Sequence, residues 1–214
     1  MEREAAVDRV MQLVDAVETD PMPVPIREIW VFGELALGLD PVERIDVYLA
    51  KDMLFAAEGE TDEVPETLAD VPGVGETVST TWAAANPSLV RTNEAGYAAP
   101  ERCLAAHLVD RNEPIHLEIC NAGFEDNVTQ RVRGAANRDA YEEILDPRGV
   151  CLWMEGIRSE TAPDQLRSGG YVFPTLPEAL EMIGMEADTA AEAADTFSAW
   201  RADQDGATVR GDVL

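Results

Sequence analysis

The sequence has 214 residues, 46% of them hydrophobic, and its 42 acidic residues outnumber its 16 basic ones to give a net charge of -26. The hydrophobic content excludes a mostly disordered chain, and the acidic excess excludes general binding to nucleic-acid backbones, which requires clustered lysine and arginine. The length suits a single domain with an appended helical piece.

The basic residues indicate a saline environment. Lys51 is the only lysine, so every other basic residue except the two histidines is arginine. Carboxylates hold water and cations in concentrated salt, whereas lysine exposes a large apolar stem. At an ionic strength of about 1 M the Debye length is only about 3 Å, which screens repulsion among the carboxylates. We therefore expect a halophilic protein of haloarchaeal origin.

The N-terminal residues and the cysteines predict a cytoplasmic protein. The first ten residues mix charged and apolar side chains, unlike a signal peptide, and no apolar run approaches the roughly 20 residues of a membrane span. The three cysteines, an odd number, are typical of free thiols in a reducing compartment and not of a disulfide framework.

In chain order, helical spacing of valines first predicts an amphipathic helix over residues 2–17. A continuous apolar run then predicts a strand over residues 29–32, with Gly33 just beyond it. Alternation from Ile45 predicts a second strand with one apolar face and one polar face, the latter carrying Arg44, Asp46 and Tyr48. An acidic stretch near residues 56–76, rich in Pro and Gly, predicts an exposed loop.

Residues 100–156 also show an alternation of predicted helices and strands. A helix is predicted over residues 100–110, and then a strand over residues 115–120 whose polar face carries His116, Glu118 and Cys120. A helix with a break near Gly134 is expected over residues 124–145, with its arginines, Arg131 and Arg133, on a solvated face. Residues 149–156 predict a further short buried strand.

The C-terminal region predicts a helical hairpin. Thr175 and Glu178 form a capping box, Gly184 suits the end of that helix, and Thr189 with Glu192 repeats the box. The polar tail beyond Asp203 is expected to fray. The predicted fold is thus α/β (α+β): a small mixed sheet flanked by helices, with a core domain over residues 1–160 and a C-terminal hairpin and tail over residues 161–214 packed on it.

One stretch resembles a known superfamily. Residues 31–33, VFG, are followed by Glu34 and, after a gap, by Arg44, Ile45, Asp46 and Val47. This spacing resembles that of the nucleotidyltransferases, especially their minimal archaeal and bacterial members. The resemblance implies a nucleotidyltransferase-like core in which two carboxylates on one strand and a third on a neighbouring strand hold divalent metals that clamp a nucleoside triphosphate. It puts Arg44 and Asp46 at the first two positions and Glu118 at the third.

The same stretch departs from the superfamily at two places. Arg44 cannot ligate Mg²⁺, but its fixed charge, two residues from Asp46, is expected to neutralise that carboxylate as a metal ion would. Glu34 stands where the superfamily has a small residue in the loop that receives phosphate. We therefore predict a pseudoenzyme without catalytic residues that binds a protein partner or a nucleotide in a remnant cleft. That cleft consists of Gly33, Glu34, Arg44, Asp46 and Glu118. The whole chain also resembles an uncharacterised haloarchaeal family.

Three alternatives remain open. An active nucleotidyltransferase would use Asp46 and Glu118 with a single Mg²⁺. An ordinary β-hairpin would need Gly33 only for its turn. A small zinc-stabilised structural protein would use both histidines and two cysteines, which fall within eighteen residues on a predicted helix and strand. The candidate zinc ligands are Cys103, His107, His116 and Cys120.

Overall fold

The computed structural model describes residues 1–53 and 64–211. Its strands are β1 (Ile26–Phe32), β2 (Ile45–Lys51), β3 (Ile115–Cys120), β4 (Val150–Met154), β5 (Ile157–Arg158) and β6 (Thr208–Arg210). Its helices are α1 (Arg3–Thr19), α2 (Gly33–Ala36), α3 (Thr80–Ala85), α4 (Pro100–Leu108), α5 (Phe124–Arg138), α6 (Ala162–Ser168), α7 (Leu176–Met182) and α8 (Ala187–Ala202). The mixed α/β class expected from the sequence is confirmed.

The six strands form one mixed sheet in the order β5-β4-β1-β2-β3-β6. Strand β1 runs antiparallel to β2 and β4, whereas β2, β3 and β6 run parallel to one another. In the parallel register Asp46 lies opposite His116, and Tyr48 lies opposite Glu118. Because alternate residues of a strand share a face, these four side chains project from the same side of the sheet.

The other side of the sheet carries the main apolar core. Alternating apolar residues of β1, β2 and β3 pack there against α1, α4 and α6. Helix α1 presents Val7, Val10 and Val14 to this core, as the valine spacing predicted. Burial of an aliphatic side chain is worth about 1.5–3 kcal/mol, so this layer accounts for a large part of the folding free energy.

The polar face is covered as well. Every residue of β2 and of β3 is buried, because α5 and α8 pack over the side that carries Asp46 and Glu118. The predicted alternation of apolar and polar side chains is confirmed. Both of its faces, however, are inside the protein, and the polar residues therefore require partners within the fold.

Helix α5 differs from its prediction. It runs through Gly134 without a break and ends at Arg138, after which Asp139 adopts a left-handed conformation with φ of 54°. Arg131 is buried on this helix and Arg133 is exposed, so the predicted solvated face holds for only one of the two arginines. A single glycine costs an otherwise well-packed helix only about 1 kcal/mol, which does not interrupt it.

Helices α7 and α8 form the predicted hairpin. The Thr175–Glu178 capping box opens α7, and Gly184, with φ of +100°, follows its end in a Schellman arrangement with the Met185 amide bonded to Leu180. The second capping box is wrong. Helix α8 begins at Ala187 after Glu186, which places Thr189 inside the first turn.

The predicted acidic loop lies partly outside the described residues. Its described part, residues 64–76, is not uniformly exposed: Leu68 and Val74 are buried in a cluster around Trp82. The tail is also more ordered than expected, because residues 208–210 form β6 at the edge of the sheet. Across residues 1–53 and 64–211, none of the helices has the length and apolar character needed to cross a lipid bilayer.

Candidate functional site

The site is centred on Gly33, which follows β1 directly and is the first residue of α2. This glycine follows β1 with φ of +65°, and a β-carbon added to it would overlap Asp46 Oδ2 and come within 3.0 Å of Arg201 Nη2. Only glycine fits at position 33, for two reasons: the backbone is left-handed, and the Asp46 side chain approaches closely. The structure therefore places Gly33 in close contact with Asp46.

Asp46 is fully buried and is bound by an arginine from α8. Arg201 Nε donates to Asp46 Oδ1 at 3.2 Å, and Arg201 Nη2 donates to Oδ2. This two-point contact matches the planar fork of the guanidinium to the carboxylate. Burial raises the pKa of Asp46 to about 6, although Arg201 and His116 act in the opposite direction.

Arg44 takes the role expected of it only in part, because its charge helps to lower the pKa of Asp46 but it forms no bond with that carboxylate. We had expected its charge, two residues from Asp46, to neutralise that carboxylate. Instead, Arg44 Nη2 donates to the carbonyl of Gly206 at 2.7 Å and to Thr208 Oγ1 at 3.3 Å. Arg44 thus ties β2 to the segment before β6, and Arg201 is the residue that binds Asp46.

Glu34 accepts hydrogen bonds from backbone amides of its own chain, at the position where the resemblance implies a loop that receives phosphate. Its Oε2 accepts hydrogen bonds from the backbone N–H groups of Glu43 at 2.7 Å and of Arg44 at 3.2 Å. Its Oε1 lies 3.9 Å from Arg201 Nη1. The carboxylate therefore fastens the loop between α2 and β2 and holds the entrance of β2 in place.

Glu118, the third predicted carboxylate, has three partners. His116 Nε2 lies 3.0 Å from Oε1, Arg210 Nε donates to Oε1 at 2.6 Å, and Arg131 Nη1 lies 3.0 Å from Oε2. Burial raises the pKa of Glu118, but His116, Arg210 and Arg131 together outweigh it and lower the pKa to about 2. The side chain is only 1% exposed.

Residues of the C-terminal segment complete this arrangement. Thr208 Oγ1 lies 2.7 Å from His116 Nδ1, and the Gly211 carbonyl accepts from Arg131 at 2.9 Å. The Trp200 ring packs edge-on against His116. The Arg210 guanidinium lies 4.7 Å from the centre of the Trp200 ring. We use "acid centre" for the buried residues Asp46, His116, Glu118 and Arg131 together with the partly exposed Arg201 and Arg210.

An open cleft of about 320 Å³ adjoins the acid centre. It is lined by three members of the predicted remnant cleft, Gly33, Glu34 and Arg44, and by Arg201 above Asp46. Asp46 and Glu118 themselves are buried beneath this surface and do not line it. Further charged side chains on the cleft wall are Glu43, Asp146, Arg148 and Asp205.

The structure does not bring the four candidate zinc ligands together. Cys103 lies in the Trp82 cluster and accepts a hydrogen bond from the Arg91 amide at 3.2 Å, while His107 packs edge-on against Trp82. His116 and Cys120 project from the opposite side of the sheet, into the acid centre and toward Arg131. Among the described residues, no three His, Cys, Asp or Glu side chains are placed to share a metal ion.

The sequence did not indicate Arg201, Thr208 or Arg210. They lie at the end of α8 and in β6, the segment that we expected to fray, and no local motif marks them. One feature of the sequence could have indicated that arginines bind these carboxylates. Carboxylates on a strand that is buried on both faces require cations, and arginine is almost the only cation that this sequence offers.

Chemically, protein cations already neutralise both carboxylates of the acid centre, although the contact between Glu118 Oε2 and Arg131 Nη1 is an ion pair without hydrogen-bond geometry. Asp46 accepts both of its hydrogen bonds from one guanidinium, and both oxygens of Glu118 are in contact with cations or an imidazole. A divalent cation needs such oxygens as ligands, so it would have to displace arginines that are held in place by α5 and α8. The cleft above the centre, in contrast, is open to a ligand.

The fold and site together define a mixed α/β protein with two buried carboxylates neutralised by arginines beneath an open polar cleft. The chain belongs to the family described as "Family of unknown function (DUF7095)", whose model matches residues 2–214. No curated protein and no solved structure matches the chain.

Proposed function

We propose that this protein is a non-catalytic, nucleotidyltransferase-like module that binds a protein partner in the cleft beside Gly33. The observation that carries this proposal is the pairing of Asp46 with Arg201. At the position where a nucleotidyltransferase would hold a metal ion, this chain has a guanidinium with two donors directed at the carboxylate. The positive charge is thus supplied by the protein itself.

The charges of the cleft favour a cationic side chain as its occupant. Two of the three arginines of the wall are ion-paired, Arg148 with Asp146 at 2.8 Å and Arg201 with Asp46. The third, Arg44, donates to the Gly206 carbonyl and to Thr208, and the four carboxylates that line the cleft outnumber its three arginines. Glu43 and Asp205, in contrast, are exposed and form no ion pair with any described residue. An arginine or lysine of a partner could reach these two carboxylates, while a triphosphate would meet net negative charge.

Apolar residues of the same cleft suit the stem of such a side chain. Leu37, Leu176 and Phe197 contribute to its wall. Long cationic side chains commonly bury their aliphatic stems against apolar surface while the charged end reaches polar groups. The occupant that we propose is therefore a partner segment with an exposed arginine or lysine.

The test combines peptides with nucleotides. Thermal-shift measurements in multimolar KCl would use a pentapeptide with a central arginine between glycines, the same peptide with glutamine, and nucleoside triphosphates with and without Mg²⁺. We expect the arginine peptide to raise the melting temperature more than the glutamine peptide does. Stabilisation by a triphosphate only in the presence of Mg²⁺ would overturn the proposal in favour of the active nucleotidyltransferase.

Matched variants locate the binding. The double variant Glu43→Gln with Asp205→Asn removes the two exposed carboxylates of the cleft, and we expect it to abolish the preference for arginine. The control is Glu76→Gln with Glu94→Gln, which changes the net charge equally at two exposed positions that do not line the cleft. An equal loss in both double variants would show that only the overall charge matters.

The cellular setting belongs to the same proposal. The acid excess and the near absence of lysine favour a halophilic, haloarchaeal cytoplasm, where high salt weakens exposed ion pairs. A cationic side chain enclosed by the cleft is screened less than one at an open surface. This is why we place the partner contact in the cleft and not on the general acidic surface.

A further inference from the structure

A second cavity lies at the other end of the parallel strands. Strands β2, β3 and β6 run in the same direction, so their carboxyl ends meet at one edge of the sheet. Two adjoining cavities of about 610 and 280 Å³ open there and share Thr77, Pro100, Glu101 and Asn121. Crevices at the carboxyl ends of parallel strands are a frequent location of ligand sites. We call these joined cavities the carboxyl-edge groove.

The only lysine of the chain lies in this groove. Lys51 ends β2 and is 5% exposed, and it lines the smaller of the two cavities. Its Nζ donates to Asn121 Oδ1 and lies 3.1 Å from Glu101 Oε1. An ammonium group has three N–H donors, and these two described partners use two of them. No other described residue is bonded to Nζ, and we assign the third donor to a ligand.

The groove also differs in charge from the rest of this acidic protein. Its larger cavity is lined by the exposed cation Arg102. Of the lining carboxylates, Glu101 is paired with Lys51, and Asp52 is paired with Arg27 at 2.8 Å. Arg102 thus has no carboxylate partner within residues 1–53 and 64–211, which suits an anion of single charge better than a polyanion.

Apolar side chains complete the walls. Tyr97 is 47% exposed, Met53 is 57% exposed and Val209 is 39% exposed, and each of them lines one of the two cavities. Large apolar side chains that are exposed beside a few polar groups are typical of small-molecule sites. From cavity, charge and walls together, we propose that the carboxyl-edge groove binds a small organic monoanion, a carboxylate on an apolar body, with Lys51 and Arg102 as its cationic contacts.

The probe for this proposal is benzoate, with benzamide as its neutral analogue and acetate as the carboxylate that lacks the apolar body. Thermal-shift titrations in multimolar KCl should show stabilisation that saturates with benzoate, and little or none with acetate or benzamide. Equal stabilisation by benzamide would exclude an anion site, and no stabilisation by benzoate would overturn the proposal.

Variants assign the effect to the groove. Arg102→Gln should weaken the apparent affinity for benzoate about three- to fivefold, the size expected of a partly exposed ion pair. The control Arg133→Gln removes an exposed arginine of α5 that lines neither cavity, and it should leave the affinity unchanged. Equal weakening in both variants would contradict the assignment.

The single lysine provides a readout that needs no substitution. Selective ¹⁵N-lysine labelling gives one backbone amide resonance, that of Lys51, because the chain contains no other lysine. This resonance should shift with benzoate and reach saturation at the same ligand concentration as the thermal shift. A resonance that stays in place while benzoate stabilises the protein would locate the binding elsewhere. Since this groove shares no residue with the Gly33 cleft, either proposal can fail without the other.

Discussion

Asp46 and Arg201 are 155 positions apart in the sequence and form a two-point ion pair beneath the cleft. Asp46 has no exposed surface, while the Arg201 side chain is 18% exposed at the cleft wall. A buried carboxylate is costly unless a cation and hydrogen bonds compensate it, and removing one partner of such a pair leaves an uncompensated charge. The pair therefore links the position of α8 to that of β2.

The first prediction concerns the pH dependence of this pair. Burial raises the pKa of Asp46 from 3.8 to about 6, so between these pH values the folded chain binds more protons than the unfolded chain does. The contribution of Asp46 to the free energy of unfolding should therefore increase as the pH falls from 7 to 4, by up to ~3 kcal/mol.

Asp46→Asn lacks this titration and serves as the reference. Urea titrations of both chains at fixed KCl, from pH 7 to pH 4, should show the difference in free energy of unfolding, wild type minus variant, rising toward acid. The difference removes the contribution of groups that do not interact with Asp46. A difference that is constant with pH, or that falls toward acid, would show that Arg201 dominates over burial at Asp46.

The second prediction concerns Glu118. Glu118→Gln leaves Arg131 and Arg210 without their buried counter-charge, and we expect a loss of about 3–5 kcal/mol in the free energy of unfolding at neutral pH. The control is Glu143→Gln, which breaks an ion pair with the largely exposed Arg138 and should cost less than about 1 kcal/mol. Denaturant titration measures both, and similar costs for the two variants would contradict the burial argument.

The acid limb of the stability curve provides a further test at the same residue. The pKa of Glu118 in the folded chain is lowered from 4.5 to about 2, so its stabilising contribution is present above pH 4.5 and is lost as the pH falls toward 2. Glu118→Gln should therefore flatten the loss of stability over this interval. An acid limb as steep as that of the wild type would assign the loss to other carboxylates.

The third prediction separates backbone strain from steric overlap. Gly33→Ala and Gly156→Ala both put a side chain on a residue with positive φ, +65° and +84° respectively, which costs about 1–2 kcal/mol. Only at Gly33 does the new β-carbon meet Asp46 and Arg201; at Gly156 nothing lies within 4 Å. We expect Gly33→Ala to cost at least ~2 kcal/mol more by denaturant titration. Equal costs would mean that the Asp46 side chain can move aside freely.

The fourth prediction concerns salt. A net charge of -26 opposes compaction in dilute buffer, whereas multimolar KCl screens it. The melting temperature should therefore fall steeply when KCl is removed. Sucrose at matched water activity is the control for preferential exclusion without screening. A melting temperature that does not depend on KCl would remove the basis for a halophilic setting.

The sequence predicted much of this fold because the responsible patterns are local. The valine spacing of α1, the alternation in β2 and β3 and the Thr175–Glu178 capping box all reflect neighbours within one element, and each is found in the structure. Gly33 and Asp46 were also placed in one site, because a known spacing connects them.

The partners of Asp46 and Glu118 could not be predicted, because they are distant in the sequence. Arg201 and Arg210 reach Asp46 and Glu118 across 155 and 92 positions, and no local pattern encodes such a distance. Arg44, the nearest cation in the sequence, was assigned to Asp46, but it bonds to the Gly206 carbonyl. The burial of the polar face depends on the placement of whole helices, which single-sequence patterns do not specify.

The position of the acid centre's partners has a consequence for synthesis on the ribosome. Three side chains from residues 201–211 bond to the polar face of β2 and β3, namely Arg201, Thr208 and Arg210. The carbonyls of Gly206 and Gly211 accept from Arg44 and Arg131. Because domains emerge from the N-terminus onward, the nascent sheet holds Asp46 without Arg201, and Glu118 with Arg131 but without Arg210, until residues 201–211 leave the exit tunnel. Asp46 therefore lacks its two-point partner until α8 has been made, and the stability of the sheet depends on a segment synthesised long after β2.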